Sequence, residues 1–161
     1  MTAKTHCYLF ALEIDPMHVG NVYYDLPLHC TLMHRFWSDL DAEELADKVR
    51  TFFATSSPVV LTAQERLKLG PKQVAVSEIS LTPEIEQVHM SLYRLLNELD
   101  VEYTAPEWVG TGYRAHVTER ENARLEVGST RTSTTAYLIE VNVPGYEHNR
   151  IVRAKFELKD N

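Results

Sequence analysis

The chain has 161 residues, 44% apolar and 24% charged, with a formal net charge of −7. That length suits one domain with its own core, and the composition is that of a globular protein, not of a disordered or fibrous one. The charge argues against binding to long duplex nucleic acid, because that affinity rests on neutralising phosphates and calls for a basic surface.

No run approaches the roughly 18–20 apolar residues of a membrane helix. The opening Met1-Thr2-Ala3-Lys4-Thr5-His6 lacks the apolar core and cleavage site of a signal peptide. A cytoplasmic, monomeric protein with no membrane contact is expected.

In chain order, Cys7–Ile14 reads as a first strand, mostly apolar and stopped by Asp15-Pro16. After a loop ending in Leu26-Pro27, Leu28–Trp37 reads as a second strand. Alternation puts His29, Thr31, Met33, Arg35 and Trp37 on one face, and Leu28, Cys30, Leu32, His34 and Phe36 on the other. A helix follows, with Asp41 as cap and Glu44 completing a capping box. Leu45, Val49, Phe52 and Phe53 form its apolar stripe.

Val59–Leu69 and Gln73–Ile79 read as two strands broken by Gly70-Pro71. A second helix begins at the Thr82 cap with Pro83 in the first turn. Its stripe is Ile85, Val88, Leu92, Leu95, Leu96 and Leu99, with His89 expected on its solvent surface. A loop holding Pro106 and Gly110 leads to a strand near Tyr113–Glu119. Residues 122–131 give no clear period. Thr135–Val143 and Arg150–Leu158 read as a hairpin around Pro144-Gly145.

The two helical segments, 38–50 and 82–102, carry net charges of −3 and −4, which is the whole −7. The strand portion is therefore neutral overall, and a small anionic ligand there is not disfavoured. The count of about seven strands and two helices gives an α+β fold.

Cys7 and Cys30 lie in apolar strands, outside any CxxC pair, and are expected as buried thiols. No metal-ligand spacing, phosphate-binding glycine loop or nucleophile elbow is present, so neither a metal nor a cofactor is expected.

What remains is a pair of His-x-Thr elements, His29/Thr31 and His116/Thr118. Seven histidines and fourteen threonines would give such a triplet about 0.6 times by chance, so the bare motif is weak. The placement gives it weight: each falls in a predicted strand, one in each half of the chain, the first ahead of the first helix and the second after the second helix. That order suggests two similar lobes. In a strand each Thr shares a face with its His. Two imidazoles can take and give protons near pH 7, while two hydroxyls donate to phosphate oxygens, which suits metal-free cleavage of a phosphodiester.

Arg35 and Arg114 share strand parity with the histidines and are candidate phosphate ligands. Tyr113 and Trp108 are candidates to stack a base. His34 is expected on the opposite face, in a structural or surface role.

Leu28-His29-Cys30-Thr31-Leu32 and Ala115-His116-Val117-Thr118, 87 residues apart from His to His, resemble the two signature motifs of the 2H phosphoesterase superfamily, the group of the LigT-like 2′-5′ RNA ligases and cyclic phosphodiesterases. The resemblance covers most of the chain. It implies a single domain over 1–161 of two pseudo-symmetric lobes, with two antiparallel-rich sheets around a central cleft and helices outside. It implies catalytic His29 and His116, with Thr31 and Thr118 as phosphate ligands and His29 as the acid. It also implies 2′,3′-cyclic or 2′-5′ phosphodiesters of nucleotides or RNA ends as substrates. The one departure is Glu119, where the family carries an apolar residue. A non-catalytic nucleotide- or RNA-binding domain on the same scaffold, and an RNA-end ligase, are the alternatives.

Overall fold

The computed structural model describes residues 4–143 and 149–159. Among these residues ten antiparallel strands follow in order: β1 (His6–Glu13), β2 (Val22–Tyr23), β3 (His29–Ser38), β4 (Val59–Leu69), β5 (Val74–Ile79), β6 (Glu102–Tyr103), β7 (His116–Thr118), β8 (Thr130–Ser133), β9 (Thr135–Val141) and β10 (Arg150–Glu157). They form one curled sheet in the order β2-β10-β9-β1-β3-β7-β5-β4-β8, with β6 added to β3. Helices α1 (Ala42–Ala54) and α2 (Pro83–Glu98) complete the α+β fold.

Both helices start as their sequences dictate. Asp41 accepts from the Glu44 N–H at 2.9 Å while the Glu44 carboxylate accepts from the Asp41 N–H at 3.2 Å. Thr82 accepts from the Ile85 N–H, with Pro83 next to it. Leu45, Ala46, Val49 and Phe53 of α1 are buried, as are Ile85, Leu92 and Leu96 of α2. These stripes pack with Phe10, Leu12, Leu32, Phe36 and Leu138 into one core, so both helices cover the same face of the sheet. On the other face a smaller core, Leu9, Ala11, Tyr137 and Ile139, is covered by Met17 and Leu26 of the 14–28 loop. No helix among the described residues is long and apolar enough to cross a membrane. Cys7 and Cys30 are buried and unbridged.

Three sequence expectations are corrected. First, β3 does not alternate throughout. Its pairing with β1 passes from Thr31 straight to Met33 against consecutive residues Ala11 and Phe10, leaving Leu32 as an extra residue, and a second shift follows before Phe36. Such bulges reset which side chains face which way. Leu32 and Met33 are both buried, whereas His34 joins Thr31 on the open side.

Second, His89 is 1% exposed and not on the helix surface. Third, only His116–Thr118 of the stretch 113–119 is strand, and two short 3-10 turns, Pro106–Trp108 and Gly110–Gly112, precede it. Gly112 has no room for a side chain there, since a Cβ would overlap the Glu107 carbonyl oxygen. The hairpin between β9 and β10 forms as expected, but its Pro144-Gly145 turn lies outside the described residues.

Candidate active site at the β3–β7 seam

The sheet halves meet where β3 runs beside β7, with Cys30 opposite Val117. Both of these residues are 0% exposed and point into the helix-side core. Their neighbours must then point to the opposite, open face. The antiparallel register sets His29 beside Thr118 and Thr31 beside His116, so the two His-x-Thr elements lie side by side in opposite directions.

The imidazoles are held alike. His29 Nδ1 lies 2.9 Å from the Pro27 carbonyl oxygen, and His116 Nδ1 lies 2.9 Å from that of Arg114. A carbonyl only accepts, so each Nδ1 carries the proton and donates. Each Nε2 is then the free atom of the neutral ring, able to take a proton or, once charged, to give one.

Their surroundings differ. His29 is buried, and desolvation, with further repulsion from Arg120 and Arg150, pushes its pKa down to about 4. His116 is half-buried, and burial also lowers its pKa, against which Glu78 works favourably.

An open cleft of about 380 Å3 borders His116, Thr31 and Thr118. Its walls include Arg35, Arg114, Tyr113, Trp108 and His34, so the residues expected to bind substrate are gathered here. Arg114 is tied to Glu78 through Nε at 2.9 Å and Nη2 at 2.8 Å. Glu119, the departure from the family pattern, is held away by Arg66 at 2.6 and 3.0 Å. A larger cavity of about 440 Å3 lies between α1 and α2, lined by Phe52, Ser56, Glu84 and Gln87 among others. Its lining has no histidine, cysteine or basic side chain, so it lacks the chemistry gathered at the seam.

Two features escaped the sequence reading. His89 donates from Nδ1 to the Leu32 carbonyl at 2.8 Å and accepts at Nε2 from the Gly110 N–H at 2.9 Å. Both ring nitrogens are used, the ring is neutral, and burial lowers its pKa. Its face stacks on Tyr113 at 3.9 Å, and the Tyr113 hydroxyl donates to the Thr31 carbonyl at 2.8 Å. This pair anchors the bulge beside Thr31 from beneath. The signal was present: position 89 falls on the stripe of Ile85, Leu92 and Leu96. The second feature is Arg120, whose Nε donates to the Leu26 carbonyl at 2.8 Å close to His29. It lies two residues past Thr118, an offset that strand parity could have flagged.

No protein-family model and no curated protein matches the sequence. Solved structures do match over nearly the whole chain. A structure described as a phosphoesterase superposes with a TM-score of 0.62 at 13% identity, covering 96% of this chain and 99% of its own. Escherichia coli LigT in complex with NADP+ gives 0.58 at 14% identity, covering 98% and 100%. The protein TT0787 of Thermus thermophilus gives 0.54 at 16% identity, covering 96% and 99%. The chain therefore has the fold of the LigT-like phosphoesterases that its two His-x-Thr elements resemble.

Proposed function

We propose that the chain is a 2H phosphoesterase, one domain of two lobes meeting at the β3–β7 seam, that hydrolyses 2′,3′-cyclic or 2′-5′ phosphodiesters of nucleotides or RNA ends without a metal. The observation that carries this reading is the matched pair of imidazoles, each locked by a backbone carbonyl with Nε2 free, on the same sheet face as two threonines. LigT has been crystallised with phosphate, 3′-AMP, ATP and NADP+, and the aromatic and basic walls of the cleft in this chain suit a nucleotide.

In this mechanism one Nε2 takes a proton from the attacking water as the oxygen bonds to phosphorus. The other protonates the departing ribose oxygen as its bond to phosphorus breaks. Thr31 and Thr118 donate their hydroxyls to the non-bridging oxygens, where charge builds. The burial difference favours His29 as the base, since it holds the neutral form most strongly. His116, nearer solvent, takes up its proton when the anionic substrate arrives and serves as the acid. This is the reverse of the assignment the resemblance implies.

The test is a panel of nucleoside 2′,3′-cyclic phosphates and 2′-5′ dinucleotides, read by the position of phosphate on the product. Turnover of either class in the presence of EDTA is expected. Turnover that stops with chelator and returns with a divalent ion would contradict the reading, as would tight nucleotide binding with no turnover of any substrate.

A further inference from the structure

The cleft is not symmetric about the two histidines. On the His29 side the 14–28 loop closes over the sheet, with Met17 and Leu26 buried, and His29 does not border the open cavity. On the His116 side the cavity continues past Thr31 to His34 and Arg35 of β3, facing Lys72 in the β4–β5 turn. His34 lines this arm within electrostatic reach of Arg35, His116 and Glu107. Four residues of strand at about 3.3 Å each set Arg35 no more than about 13 Å beyond Thr31, less the reach of its side chain.

Among the described residues, the two permanent cations on this arm, Arg35 and Lys72, have no ion-pair partner. Arg114 is matched by Glu78, and Arg120 has a carbonyl acceptor with Asp25 nearby. Among the described residues, no carboxylate or carbonyl pairs with the Arg35 guanidinium, and no carboxylate pairs with Lys72. Lys72 is an exposed lysine and costs little in that state. Arg35 is half-buried. A partly desolvated guanidinium with its fork of donors unmet is unfavourable unless an anion completes it.

We infer that Arg35, Lys72 and His34 form a second anion subsite, so that the favoured substrate carries a further phosphate beyond the scissile one, on the His116 side. The substrate class is then an oligonucleotide end or a phosphorylated nucleoside, in preference to a nucleoside cyclic monophosphate. Trp108 lines the same cavity and is the aromatic side chain assigned to the intervening base. The choice of scissile bond rests on the phosphodiesterase reading above, but the binding of the second phosphate does not.

The experiment is calorimetric titration of the full chain with adenosine 2′-monophosphate and adenosine 2′,5′-bisphosphate at low salt. The bisphosphate is expected to bind at least about tenfold more tightly. Arg35→Met should shrink that advantage to about threefold or less, and Lys72→Met, at an exposed turn where folding is not at stake, should reduce it in part. Lys48→Met, an exposed cation on α1, should leave the ratio unchanged. Equal affinities in the unaltered protein would overturn the inference, as would an advantage that survives both Arg35→Met and Lys72→Met. A bisphosphate preference in a protein that cuts no phosphodiester would uphold the subsite and reject the phosphodiesterase reading.

Discussion

The two His-x-Thr half-sites share their local geometry and differ in almost everything around it. Each histidine donates Nδ1–H to the carbonyl two residues before it, over the same 2.9 Å. Yet His29 is buried beside Arg120 and Arg150, while His116 borders the open cleft with Glu78 nearby. Backbone geometry thus fixes which nitrogen works, and the environment fixes how readily that nitrogen holds a proton. In the proposed mechanism, burial and the neighbouring charges together make one copy of the motif a base and the other an acid.

The largest effect expected from breaking this pair is on turnover. His29→Ala and His116→Ala should each lower kcat by at least about 100-fold with the fold intact, because each removes one proton carrier. Near-normal kcat in either variant, with circular dichroism unchanged, would remove that histidine from the mechanism. The Gln variants sharpen the comparison. His29→Gln should flatten the acid limb of the kcat/KM profile, and His116→Gln the alkaline limb; the reverse pattern would exchange their roles.

The threonines come next. Thr31→Val and Thr118→Val each keep the branched shape and lose one hydroxyl donor, a loss of about 1–3 kcal/mol in kcat/KM. Unchanged kinetics in both would place the phosphate elsewhere. Tyr113→Phe should cost less, about threefold to tenfold in kcat, since it removes the hydroxyl's anchor on the Thr31 carbonyl and its contact with Cys30 but keeps the stack on His89. An unaltered rate would show that Thr31 needs no such support.

A further difference between the half-sites lies in acid stability. The His29 pKa is lower in the folded protein than in the unfolded chain, so the unfolded state binds its proton first. The neutral ring's contribution is intact above about pH 6.5 and is lost as the pH falls to about 4, on the order of 3 kcal/mol in all. His29→Gln should reduce the slope of denaturant-derived stability across that window, the other partly or fully buried histidines keeping a part of it, and a slope unchanged from the parent would contradict the burial argument.

How much of this was legible in the sequence depends on periodicity. The helices and their caps were, because Asp41, Glu44, Thr82 and Pro83 act locally. The pairing of the half-sites was suggested by two strands bearing the same triplet, although their adjacency is a long-range fact. The position of His34 was not legible, because a bulge leaves no mark in a single strand's alternation; it appears only against the partner strand β1. Strands β2, β6 and β8 were missed since two to four residues carry no period, and β8 forms by pairing with β4. His89 was misplaced by residue type, although its position on the apolar stripe pointed inward.

In the proposed mechanism, unequal proton affinity in two equally oriented rings divides the labour between the half-sites. Nitrogen-detected NMR titration of the imidazoles in the ligand-free protein reads both properties at once. His29 and His116 are both expected as Nδ1–H tautomers, with His29 titrating well below His116. A His29 ring that titrates at or above His116, or that carries its proton on Nε2, would contradict that division.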